Sequence, residues 1–195
     1  TLPSRGLGDV YKRQVYHREC VEKLRSFGIS QACPMCRAEL PPGPEKLLED
    51  ALRRWWVLQK RYGQGDREPW RRVSDDGDRR ELTEVIRMLH EAAEQGIANA
   101  QCNLAIMYAY GQGVGRSDAT ALKWFLKAAE QGFAKAQFNL GLMYEKGQGV
   151  DQSDATAAKW YRKAADQGNA HAQYNLGVMY CNGQGVDQSA ATALK

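Results

Sequence analysis

His17, Cys20, Cys33 and Cys36 lie close together in the stretch HRECVEKLRSFGISQACPMC, residues 17–36. An imidazole nitrogen and three thiolates are donors that zinc takes, and four donors close a tetrahedral shell. Cys33 and Cys36 make a C-x-x-C knuckle, in which two thiolates on a tight turn grip one edge of a metal, and Pro34 stiffens that turn. His17 and Cys20 supply a second pair at the same offset. One arrangement is a single Cys3His site, whose ligand atoms must all lie within ~4 Å of one another because Zn–S bonds are near 2.3 Å. The other divides the two pairs between two metals. The chain has five cysteines, an odd number, and three fall within the first 36 residues. In an intracellular chain that usage argues for metal rather than disulfides. Cys102 and Cys181 stand apart and read as ordinary buried or half-buried thiols.

These donors sit at one end of a chain of 195 residues, long enough for one or two domains with a core. The chain begins with Thr rather than Met and reads as incomplete. No apolar run approaches the ~18 residues of a membrane span, and the N-terminus lacks a signal-peptide core. An intracellular protein, cytoplasmic or nuclear, is expected. The net charge of +4 is unevenly spread: residues 1–80 hold 17 Lys/Arg against 12 Asp/Glu, and residues 81–195 hold 10 against 11.

The second half repeats itself. AQCNLAIMYAYGQGVGRSDATALKWFLKAAEQG, AQFNLGLMYEKGQGVDQSDATAAKWYRKAADQG and AQYNLGVMYCNGQGVDQSAATALK align without gaps, so that Gly111, Gly147 and Gly183 recur every 36 residues. Leu104, Met107 and Tyr108 share one face of a helix expected over 98–108, with the small Ala100 and Ala105 allowing close approach of a neighbour. Gly111 can end that helix in the left-handed conformation. Ser117, Ser153 and Ser189 stand where an N-cap is needed, and Asp118 and Asp154 suit the positive start of a second helix. Ala121, Trp124, Ala128 and Ala129 give that second helix its apolar face. EAAEQG at 91–96 matches KAAEQG at 127–132, so residues 82–96 read as a further second helix. The recurring Trp, Tyr and Met residues read as packing between stacked helices. His90 and His171 have no partner in the pattern and read as surface residues.

This pattern resembles the Sel-1-like repeat family, a relative of tetratricopeptide repeats, over about residues 82–195. The resemblance implies an α-solenoid of antiparallel helix pairs that binds other proteins. The expected fold class is therefore mostly α, with a partial zinc module and an amphipathic helix before the array.

Between the two regions, LPPGP at 40–44 is a stiff break. Residues 45–62 carry an apolar stripe of Leu48, Ala51, Leu52, Trp55, Leu58 and Tyr62, and Pro44 suits a first turn. Residues 63–78 read as a loop. The mixture of basic and aromatic residues in this segment is a form that nucleic-acid binding can take. Here Trp55 belongs to the stripe, and Arg53, Arg54, Lys60 and Arg61 form its wet side, which argues against a nucleic-acid surface.

The zinc-type ligands also resemble part of a RING finger, the subtype with His as its fifth ligand. In that family VYHREC supplies the fifth and sixth ligands, His17 and Cys20, and CPMC the seventh and eighth, Cys33 and Cys36. The resemblance implies two cross-braced zinc ions, docking of a ubiquitin-conjugating enzyme through Leu24, Pro34 and neighbours, and a role for Arg37 in aligning the ubiquitin. The third and fourth ligands would fall at positions 12 and 14, which are Lys12 and Gln14, so each site keeps half its ligands. The likeness starts at Val15, and residues 1–14 read as a foreign leader on a shortened RING.

The expected organisation is a leader at 1–14, the C-terminal half of a RING finger at 15–40, a linker at 41–78 containing the helix, and repeats over 79–195. The expected function is a fragment of a RING-type ubiquitin ligase, itself inactive, whose array holds a protein substrate or adaptor. A non-enzymatic repeat scaffold with a structural zinc module is the alternative.

Overall fold

The computed structural model describes residues 43–62 and 75–186. The chain divides into two units, residues 1–42 and 43–195, and every described residue belongs to the second. Seven helices run in chain order: α1 Pro44–Tyr62, α2 Asp76–Glu94, α3 Ala98–Tyr110, α4 Asp118–Glu130, α5 Ala134–Lys146, α6 Asp154–Ala165 and α7 Ala170–Asn182. No strand occurs among the described residues. Each helix packs on its neighbours in sequence, most extensively within the pairs α1–α2, α3–α4 and α5–α6.

The caps follow the sequence chemistry. Ser117 accepts from the Thr120 amide and Ser153 from the Thr156 amide, both at 3.2 Å. Gly111, Gly147 and Gly183 end α3, α5 and α7 in the left-handed region, with φ of 66°, 63° and 65°. The starts of α3 and α5, at Ile97 and Phe133, have no side-chain cap, whereas Asn169 caps α7 by accepting from the Ala172 amide at 3.0 Å.

The second glycine of each Gly-x-Gly turn does a different job. A Cβ on Gly149 would come within 2.7 Å of the Asp118 backbone, and one on Gly185 within 2.3 Å of the Asp154 backbone. Each turn therefore presses onto the first residue of the preceding repeat's second helix, leaving no room for a side chain. Gly113 meets the second helix before it at the same offset but through a side chain, that of Leu82, which would lie 2.7 Å from an added Cβ. The offset is 31 residues in all three cases, so α2 occupies the place of a second helix, and α1 that of its first.

The helix expected over 82–96 thus starts earlier, at Asp76, and part of the expected loop at 63–78 is helical. Asp75 caps it by accepting from the Gly77 amide. The helix expected over 45–62 is α1, with Leu47, Ala51 and Leu58 buried on its inner face. Leu47 was not on the expected stripe, while Leu52, Trp55 and Tyr62 are only half-buried.

Leu104 and Leu140 are fully buried, each stabilising by about 1.5–3 kcal/mol relative to exposure. The buried aromatics of the second helices are Phe125 and Tyr161, while the neighbouring Trp124 and Trp160 are half-buried. Gly141 makes room for Tyr161, whose ring would stand 2.5 Å from an added Cβ.

Candidate protein-interaction surface

The residues with metal and ligase chemistry, His17, Cys20, Leu24, Cys33, Pro34, Cys36 and Arg37, lie outside the described residues. Among the described residues, no group of three or more His, Cys, Asp or Glu is placed to hold a metal. Cys102 is buried, and burial pushes its thiol up to about 12. Cys181, expected to be buried or half-buried, is exposed near the end of α7.

The titratable groups that do meet are structural. Asp78 in the first turn of α2 accepts from Tyr62 and Arg61 at the end of α1. These bonds, Tyr62's first and Arg61's second, hold its carboxyl below the usual carboxylate range. Glu145 accepts from Tyr161, whose hydroxyl is raised first by burial and then by that bond. His90 was expected to be a lone surface residue. It is half-buried, its Nε2 lies 3.0 Å from the Tyr108 hydroxyl, and its ring meets the edges of Tyr108 and Trp124. The repeat alignment hid this because Leu126 and Arg162 stand at the equivalent positions.

The basic residues of α1 are engaged locally. Arg53 pairs with Glu49, Arg54 with Glu81 and Arg61 with Asp78, and Lys60 lies over the Trp56 ring at 3.9 Å. This is the wet side expected from the apolar stripe.

A surface suited to binding remains on the first helices of the pairs. The exposed large apolar residues are Trp56 and Val57 on α1, Tyr110 on α3, and Tyr174 and Val178 on α7. None lies on a second helix. Aligned by the 36-residue period, the first helices carry a row of half-buried asparagines (Asn103, Asn139, Asn175) beside a row of branched aliphatics, of which Ile106 and Leu142 are half-buried against the core and Val178 is exposed. Asn103 and Asn139 each donate to the carbonyl one turn back, of Asn99 at 2.9 Å and of Lys135 at 2.7 Å, which leaves the amide oxygens as acceptors. The flanking positions vary: Asn99, Lys135 and His171 on one side, Tyr110, Lys146 and Asn182 on the other. A constant amide-and-aliphatic track with variable borders suits contact with polypeptide.

Stacked helix pairs in fixed register define a helical-repeat protein. The Sel1 repeat family matches residues 98–133, 134–169 and 170–195, and this chain belongs to that family. It is similar to the crystal structure of a Sel1 repeat protein from Oxalobacter formigenes, at 38% identity over 55% of this chain and 82% of that one, with a TM-score of 0.53. It is also similar to c5321, a protective antigen of uropathogenic Escherichia coli with an SLR fold, at 29% identity over 78% of this chain and 39% of that one, with a TM-score of 0.56. No curated protein matches the chain. Pair α1–α2 precedes the matched repeats, although the Gly113–Leu82 contact places it in their register. No described helix is long and apolar enough to cross a membrane.

Proposed function

We propose that this chain is a protein-binding scaffold whose first-helix track holds a polypeptide partner. The observation that carries the reading is the concentration of exposed apolar side chains on first helices, beside the Asn103–Asn139–Asn175 row. Affinity capture with the full chain tests it. Tyr110→Asp with Val178→Asp should lose the captured proteins while helix content is kept, and unchanged capture would contradict the reading.

A second reading is favoured by the spacing of His17, Cys20, Cys33 and Cys36 and by Arg37 after the last of them. In it, residues 15–40 belong to a RING-type ubiquitin ligase acting inside the cell, in the cytoplasm or nucleus. Leu24 and Pro34 contact the conjugating enzyme, and the array positions a substrate or adaptor. Such a ligase contributes proximity and orientation and forms no covalent intermediate. When bound, zinc would supply the folding energy of that module. The donor set of this chain does not fill two tetrahedral sites, because Lys12 and Gln14 stand where two ligands belong. With the ligand pattern completed, ubiquitin transfer should appear, and Arg37→Ala should abolish it while partner capture survives. Absence of transfer with several conjugating enzymes would remove this reading and leave the scaffold.

A further inference from the structure

The second helices carry a different surface. On α4, Lys123 and Lys127 flank Trp124; on α6, Lys159, Arg162 and Lys163 surround Trp160. All five cations are exposed, and none makes an ion pair among the described residues. Both tryptophans are half-buried, with the +3 lysine over the ring: Lys127 at 4.3 Å from Trp124 and Lys163 at 4.2 Å from Trp160. The indoles therefore hold the ammonium groups in place, which lowers the ordering cost of engaging them. On α6 these groups line an open hollow of 360 Å³ formed by Thr156, Lys159, Trp160, Arg162, Lys163 and Asp166. Asp166 and, on α4, Glu130 lie at the helix ends, so mid-helix the stripe is of one sign.

The equivalent positions of α2 show what a neutralised version looks like. There Arg87 stands for Lys123 and Glu91 for Lys127, and Arg87 pairs with both Glu84 and Glu91, at 2.7 and 2.9 Å. The matched repeats lack these internal acids: Thr120 and Thr156 replace Glu84, and lysines replace Glu91.

We propose that the lysine–tryptophan stripe of α4 and α6 is a docking surface for an acidic segment of a partner protein, separate from the first-helix track. Carboxylates meet the Lys123/Lys127 and Lys159/Lys163 pairs, and apolar side chains rest on the indole edges. Charge complementarity selects an acidic polymer, and two observations favour polypeptide over nucleic acid. The indole faces are occupied by lysine and so are closed to base stacking. Residues 81–195 hold 10 Lys/Arg against 11 Asp/Glu, a poor balance for neutralising a run of phosphates.

The test is fluorescence anisotropy of a labelled oligoglutamate peptide titrated with the full chain at low and at physiological salt. Saturable binding that weakens with salt is expected. Lys123→Gln, Lys127→Gln, Lys159→Gln and Lys163→Gln together should weaken it by about tenfold or more. Lys135→Gln with Lys146→Gln, on the first-helix side, should leave it unchanged. If the fourfold variant loses helix content, the two pairs are changed separately, and each should weaken binding. Absence of saturable binding, equal loss in the Lys135/Lys146 control, or tighter binding of labelled oligothymidylate would each overturn the proposal. Its failure is distinct from failure of the scaffold reading, because Tyr110→Asp with Val178→Asp leaves this stripe intact and alters only the first-helix track.

Discussion

Gln167 donates to the buried Gln137 at 2.8 Å, and Gln131 donates to the buried Gln101 at the same distance. Gln137 in turn donates to the Ala129 carbonyl at 3.2 Å, and Gln101 to the Ala93 carbonyl at 3.0 Å. Each buried amide thus closes the end of one second helix and receives a bond from the end of the next. These glutamines link one repeat to another by adding a side-chain donor to helix-end carbonyls that also accept backbone bonds, Ala93 from the Gly96 amide and Ala129 from the Gly132 amide.

Changing one partner takes bonds from the others. Gln137→Leu removes both of its bonds, to the Ala129 carbonyl and from Gln167, and should cost about 1–3 kcal/mol, although the Ala129 carbonyl keeps its bond from the Gly132 amide. Gln167→Ala removes only the bond to the buried Gln137 oxygen and should cost less, about 0.5–1.5 kcal/mol. Urea denaturation followed by circular dichroism measures both, and equal losses would show that the link does not work as a directional chain.

The two glycines of one turn should differ in their tolerance of substitution. Gly147 needs only the left-handed conformation, with φ of 63° and the nearest atom 3.3 Å from an added Cβ, so Gly147→Asn should be nearly neutral. Gly149→Ala meets both the positive φ of 68° and the Asp118 backbone at 2.7 Å, and should cost about 1–3 kcal/mol or more. Thermal melts of the two variants decide it.

This contrast marks where the sequence was legible. Period, caps and turns could be read directly, because Gly, Ser and Asp are required for local backbone reasons at Gly111, Ser117 and their repeats. Long-range roles could not. Gln101 and Gln137 are polar and look like surface residues until the helix ends that they satisfy are placed beside them. Gly63-Gln64-Gly65 follows α1 with the repeat's Gly-x-Gly signature, but it stands 48 residues before Gly111 rather than 36, so α1 read as a linker helix although α2 takes the contact from Gly113. Trp124 and Trp160 pack against the core from half-buried positions as their type suggested, while the alanine face turns Phe125 and Tyr161 fully inward.

The Tyr62–Asp78–Arg61 cluster should make the α1–α2 pair acid-sensitive. The folded carboxyl lies below its ordinary 3.8, so the cluster stabilises at pH values above that figure. The contribution is lost as pH falls from 3.8 through the depressed folded value. Melting temperature followed from neutral pH into that acidic range should drop more steeply for the natural chain than for Asp78→Asn, which has no charge to lose. Parallel curves would remove Asp78 from the acid response.

Zinc content separates the two arrangements of the N-terminal donors. On the cross-braced map His17 and Cys20 belong to one metal and Cys33 and Cys36 to another, and a site with two donors holds zinc weakly. The purified chain should therefore carry well under one tightly held zinc after dialysis, measured by atomic spectroscopy. One zinc per chain, lost on Cys33→Ser and on His17→Ala alike, would instead establish a single Cys3His site.

Thiol labelling gives a direct check on the array. Cys102 is buried between helices, with its thiol pushed up to about 12, so at mildly alkaline pH it is protonated and shielded. Cys181 is exposed on α7. Iodoacetamide on the folded chain, read peptide by peptide by mass spectrometry, should modify Cys181 well before Cys102, and urea should erase the difference. Early modification of Cys102 would mean that α3 does not hold its packed place between α4 and the preceding pair, and the register drawn through Gly113 and Leu82 would have to be abandoned.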